Sequence, residues 1–210
     1  MAAAEAGWRE AAEQVATGAG FDLEDFVVVA AGRRRIVRVV VDSDTGLGLD
    51  AAADLSRLLS ARFDELDEAA GGTAPAYTLE VTSPGLGRPL TEPRHFRRAG
   101  GRLLSVTLVD GSTRNVRVLG VSDDADGGGI DVLQGKSGTE PARLSFASID
   151  RAVVEVEFSA PSGAVAALLA ADPRTADVLA RTAAGAAELD EAELDDTELD
   201  DTDEPEEVTR

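Results

Sequence analysis

YTLEVTSPGLGRPL, residues Tyr77–Leu90, is the stretch from which the rest of this chain can be read. Tyr77, Leu79 and Val81 are apolar at every second position, with Thr78, Glu80 and Thr82 between them, the pattern of a half-buried strand. Pro84 must end that strand. Pro84 and Pro89 donate no ladder hydrogen bond, and Gly85 and Gly87 are free to take positive φ, so Ser83–Pro89 is expected to be a shaped loop presenting Arg88 near its end. Gly85, directly after Pro84, is expected to need a conformation closed to residues with a Cβ. A loop of this kind can hold a partner or turn a corner.

Upstream of it, Trp8, Ala11, Ala12, Val15 and Ala19 recur at helical spacing, predicting a first helix that Gly18 and Gly20 end. The β-branched runs Phe26–Val29 and Ile36–Val41 flank Gly32–Arg35 and predict a hairpin. Asp50 is placed to cap a second helix whose Leu55, Leu58, Leu59, Phe63 and Leu66 share one face. With the Tyr77 strand this gives α-β-β-α-β, a sandwich of three strands under two helices, over residues 1–90.

Residues 91–101 read as a linker containing a short helical turn, Glu92–Ala99, with Pro93 suited to its first position. Leu103–Val109, Asn115–Val121, Gly129–Gln134, Ala142–Phe146 and Ile149–Phe158 are strand-like and separated by turn residues, which suggests a small closed barrel over 102–160. Residues 161–187 are alanine-rich, broken at Asp172-Pro173, and expected to be weakly helical. Residues 188–210 repeat acids around single leucines and carry too little apolar area to offset ordering entropy, so disorder is expected there.

The chain has 210 residues, no cysteine and a net charge of −20. Disulfides, thiolate metal sites and cysteine nucleophiles are thereby excluded. The first residues carry acids and no long apolar run, so neither a signal peptide nor a membrane anchor is expected, and a cytoplasmic setting fits. The charge is uneven: residues 188–210 hold thirteen acids against one arginine, a net −12, which leaves −8 for the other 187 residues. Two arginine clusters stand out, Arg33, Arg34, Arg35 and Arg38 at the hairpin, and Arg88, Arg94, Arg97, Arg98 and Arg102 around the linker.

Catalysis finds little support. His95 is the single histidine, so a triad or zinc site has no second member. Asp42, Asp44 and Asp50 lack calcium-loop spacing and read as a turn with a helix cap. Gly46 and Gly48 do not complete a dinucleotide fingerprint. No cofactor and no metal are expected. Binding fits better. Backbone N–H groups of Ser83–Pro89 with Arg88, and Arg94, Arg97 and Arg98 on the next turn, could meet phosphates, or they could simply line an interdomain hinge. Arg33, Arg34 and Arg35 at the hairpin tip could do the same or could guard a sheet edge. In the second unit Asp123, Asp124, Asp126, Asp131, Glu155 and Glu157 would favour a basic extended peptide.

Leu79, Glu80, Val81, Ser83, Pro84, Gly85, Leu86, Arg88, Pro89 and Leu90 resemble the LEV-S/T-SPGL-x-RPL signature of the RimP family, with Gly87 where the family usually has an acid. The resemblance runs from about Trp8 to Phe158. It implies an SH3-like, Sm-like second domain and a non-enzymatic, monomeric factor that assists maturation of the small ribosomal subunit. Implied partners are the immature subunit with its ribosomal RNA, bound through Gly85, Arg88, Arg94, Arg97, Arg98 and Arg33–Arg35, and the basic ribosomal protein S-twelve, bound through the six acids above. The other reading of the residues is an Sm-like RNA-binding regulator unrelated to ribosomes.

Overall fold

A computed structural model describes residues 2–31, 34–72, 76–123 and 127–176. Arg33, Asp124, Asp126 and the acidic tail expected to be disordered lie outside the described residues. The fold is mixed α+β, in two units joined by a short helix.

The first unit follows the expected order: α1 (Ala2–Gly18), β1 (Asp22–Ala31), β2 (Arg34–Asp42), α2 (Leu49–Ala69) and β3 (Tyr77–Thr82). β2 is central, antiparallel to β1 and parallel to β3, so α2 is the crossover between two parallel strands. Val37, Val39 and Val41 all point from β2 into the core and have no exposed surface. α1 brings Trp8 and the small Ala11, Ala12 and Ala16, and α2 brings Leu55, Leu59 and Phe63, four residues apart along one stripe. Trp8 stacks on Phe63 with centroids 4.8 Å apart, and Tyr77 meets Trp8 edge-on at 5.0 Å. Both helices therefore cover the same sheet face. On the other face Arg38 pairs with Glu80 at 2.9 Å, and Val27 and Val29 are exposed.

Two local expectations change. The cap of α2 is Gly48, not Asp50, which sits inside the first turn where its charge faces the positive end of the helix. Leu58 is exposed, at the edge of the Leu55–Leu59–Phe63 stripe and outside the core.

The second unit has β4 (Leu103–Leu108), β5 (Thr113–Ser122), β6 (Gly129–Gln134), β7 (Glu140–Ser145) and β8 (Ile149–Val154), all antiparallel, in the order β7-β6-β5-β4-β8. The expected closed barrel is not formed. β7 and β8 are joined through a 3-10 turn, Phe146–Ser148, but share no ladder, so the sheet stays open between its two edges. Leu104, Val106, Val116, Val118, Ile130, Val132 and Ala152 fill its interior. A Cβ on Gly129 would run into the backbone of Leu144, so only glycine lets β6 and β7 approach there.

α4 (Gly163–Ala171) packs outside this sheet, setting Val165 and Leu169 on Leu133 and Leu119. Ser162 accepts from Val165 N–H at its start, and the helix ends at the residues before Pro173. Arg174 then folds back over Gly120 and pairs with Asp131 and Asp172, each at 2.8 Å.

Candidate functional site

Between the two units lies α3 (Pro93–Arg98), with Pro93 in the first turn as its missing N–H permits. One face of α3 belongs to the second unit, since Phe96 and Ala99 are buried in that unit's core and Phe96 meets Phe146 at 5.4 Å. The other face meets the first unit through charge. A β-bulge between Leu23 and Asp25 leaves Glu24 without a partner on β2 and turns its side chain out of the ladder, toward α3. That side chain is 1% exposed and is surrounded by cations.

Glu24 receives Arg88 at 2.9 Å, Arg94 at 3.1 Å and His95 at 2.9 Å, with Arg98 at 3.5 Å. The carbonyl oxygen of Glu24 also accepts from Arg88 at 3.0 Å. Arg98 reaches further, to Asp42 at 3.2 Å and Asp44 at 3.0 Å, and pairs with Asp22. Arg94 is held from the other side by Glu92 at 2.6 Å. The backbone N–H groups of Thr91 and Glu92 donate to Nδ1 of His95 at 3.1 and 3.2 Å, so the ring proton sits on Nε2 and is donated to Glu24. His95 is therefore a structural connector, locking the start of α3 to β1.

The titration of these carboxyls follows from their surroundings. Burial pushes Glu24 upward, but the hydrogen bonds from Arg94 and His95 and the charges of Arg94 and Arg88 outweigh it and hold it below the ordinary value. For Asp42 burial prevails over Arg98, and its carboxyl is raised.

The Ser83–Leu90 loop meets this cluster at Arg88. Arg88 N–H donates to the Gly85 carbonyl at 3.1 Å, closing a turn around Leu86 and Gly87. Neither Gly85 nor Gly87 takes positive φ, contrary to the expectation for Gly85, which is the first residue of this turn and lies outside the two central positions where a turn can demand a left-handed conformation. Nothing lies within 4 Å of a Cβ built on Gly85.

The expected binding residues thus fall into distinct settings. Arg88, Arg94 and Arg98 have their charge matched by β1 and the turn after β2, whereas Arg97 is exposed on α3. Arg34 is exposed at the hairpin and Arg35 is half-buried. Among the acids, Asp123 is exposed and Asp131 bonds to Ser122 and Arg174. Glu157 forms a fork with the buried Arg117, which also donates to the Gly101 carbonyl at 2.9 Å. Glu155 is half-buried and its N–H pairs with the Leu103 carbonyl at 2.9 Å. Asp123 and Asp131 flank the β5–β6 connection, while Glu155 and Glu157 follow β8. Sequence reasoning missed Glu24, Asp22 and Arg117, the residues that bind the arginines or the linker in place.

Residues 11–87 match the family described as RimP N-terminal domain. The chain is 50% identical over 147 residues to a protein of Frankia casuarinae named ribosome maturation factor RimP, covering 68% of this chain and 55% of the relative. It is 42% identical over 178 residues to one of the same name from Parafrankia sp., covering 74% and 58%. The chain thus spans a little over half the length of the curated relatives it matches.

Proposed function

The chain belongs to the RimP family, and on that premise we propose that it is a non-enzymatic ribosome maturation factor, acting in the cytoplasm as a monomer on the immature small subunit. The observation that carries the proposal is the extended likeness to two proteins bearing that name. The order β7-β6-β5-β4-β8, with a 3-10 turn between the edge strands, supports reading the second unit as SH3-like. Among the described residues no helix is long and apolar enough to cross a membrane.

In this reading the exposed Arg97 and Arg34, together with Arg33 and Arg35, contact ribosomal RNA. Arg88, Arg94 and Arg98 set the angle at which the two units are presented, and Gly85 shapes the loop that delivers Arg88. The acids of the second unit, Asp123, Asp124, Asp126, Asp131, Glu155 and Glu157, receive the basic ribosomal protein S-twelve.

Co-sedimentation of the full-length protein with ribosomal particles tests this. Enrichment on small-subunit precursors is expected, and replacing Arg34 and Arg97 by alanine lowers the salt slope of binding by about 1.4, two phosphate contacts at roughly 0.7 each for single strands. Binding to free small RNAs with no enrichment on subunits overturns the reading in favour of an Sm-like regulator.

A further inference from the structure

A cleft of about 130 Å³ opens between the Ser83–Leu90 loop, α3 and β8. Its lining includes the apolar Pro84, Leu86, Leu90 and Val154 together with Arg88, His95, Arg98 and Arg102. Leu86 is 48% exposed, and Val156 and Phe158, directly after β8, are exposed at 54% and 95%. Arg98 is matched by Asp22, Asp42 and Asp44. Arg102 lies in the field of Glu157, and neither it nor the exposed Arg97 is held in an ion pair among the described residues. Such a site fits a short peptide with one aliphatic side chain between acids: the apolar lining takes the aliphatic group and the neighbouring arginines take the charges.

This chain carries that peptide three times. In ELDEAELDDTELDD, residues 188–201, each of Leu189, Leu194 and Leu199 stands between a glutamate and an aspartate. We propose that the C-terminal tail docks one Glu-Leu-Asp segment at a time into the cleft, its leucine on Leu86, Leu90 and Val154 and its acids toward Arg97 and Arg102.

Reach permits it. Leu189 lies thirteen positions beyond Ala176, the last described residue, and a chain of that length spans up to about 45 Å. A folded body of this size is roughly 40 Å across. Tethering also supplies an effective concentration on the order of millimolar, so a segment that binds weakly as a free peptide is substantially docked within the chain. The docked tail covers the apolar path beside α3 and places acids over Arg97, so it competes with any anionic partner approaching from that side. This holds whether or not the protein acts on ribosomes.

The test uses the 15N-labelled full-length protein and its L189S/L194S/L199S variant, which keeps every charge. Amide signals of Gly85, Leu86, Ala99 and Arg102 are expected to shift in the variant and to return when an unlabelled peptide of residues 188–201 is added. The same peptide with its leucines changed to serine should bind at least tenfold more weakly, and Arg102→Glu should weaken the leucine peptide by a similar factor. Three results overturn the proposal: cleft signals of the variant that coincide with the parent's, equal restoration by the serine peptide, which would mean charge alone, or perturbation by the leucine peptide of some other surface.

Discussion

Glu24→Gln tests the ionic joint between the two units most directly. The substitution keeps the shape of a side chain that is 1% exposed and removes the charge that Arg88, Arg94 and His95 share within 3.1 Å. Because Nδ1 of His95 is committed to two backbone donors, Nε2–H still needs an acceptor. The glutamine oxygen can serve it only by turning the amide NH2 toward Arg94. Breaking a buried charge pair from one side typically costs about 3–5 kcal/mol. Here the guanidiniums of Arg88 and Arg94 keep about 30% exposure, and Arg94 and Arg98 retain other carboxylates. A discounted cost of about 2–3 kcal/mol follows. Since every 1.4 kcal/mol is tenfold, the amides of Thr91, Glu92 and His95 should exchange with solvent about 30- to 150-fold faster. Glu80→Gln, which breaks the exposed pair with Arg38, serves as the control and should change stability by less than about 1 kcal/mol. Exchange at these α3 amides within threefold of the parent would refute the claim that Glu24 holds the joint closed.

Other outcomes follow from the same geometry. Glu24 titrates below its ordinary 4.5, so its stabilising contribution is complete above that value and is lost as pH falls through the lower folded value; Asp42 titrates above its ordinary 3.8, and its protonation weakens its hold on Arg98. Carboxyl carbon NMR should therefore show Glu24 titrating below 4.5 and Asp42 above 3.8, and a displacement of either in the opposite direction contradicts the assigned environments. Phe63→Ala should lower the stability of the first unit by about 3–5 kcal/mol in denaturant melts, because it removes the ring on which Trp8 stacks. Gly85→Ala should change thermal stability by less than about 0.5 kcal/mol, since the position has ordinary φ and open space. Gly129→Ala, by contrast, drives a Cβ into the Leu144 carbonyl and should unfold or severely weaken the second sheet.

What could be read from the residues alone was whatever repeats with a fixed period. The alternation of Tyr77–Val81 placed β3, Gly129–Gln134 was bounded correctly, and the α-β-β-α-β order followed from the spacing of apolar side chains. Closure of the second sheet was not legible, because it depends on whether β7 and β8 share hydrogen bonds, and turn residues carry no information about that. The arginine cluster was visible but its partners were not: ion pairs such as Arg98 with Asp42 join residues 56 positions apart. Glu24 looked like one acid among forty. A trace of its role was present nonetheless. Leu23 and Phe26 both pack toward the core although three residues apart, a break in strand alternation that marks the bulge.

The two faces of α3 are glued by different forces. Phe96 and Ala99 sit in an apolar core, whereas His95, Arg94 and Arg98 are tied to carboxylates. Apolar adhesion weakens on cooling and strengthens with sulfate; ionic adhesion weakens with added salt or acid. Solution conditions can thus choose which seam gives way. Because Glu24 is buried among its partners, salt loosens the charged seam less than acid does, and protonating its carboxylates frees the polar face of α3 while Phe96 still holds the other face to the second unit.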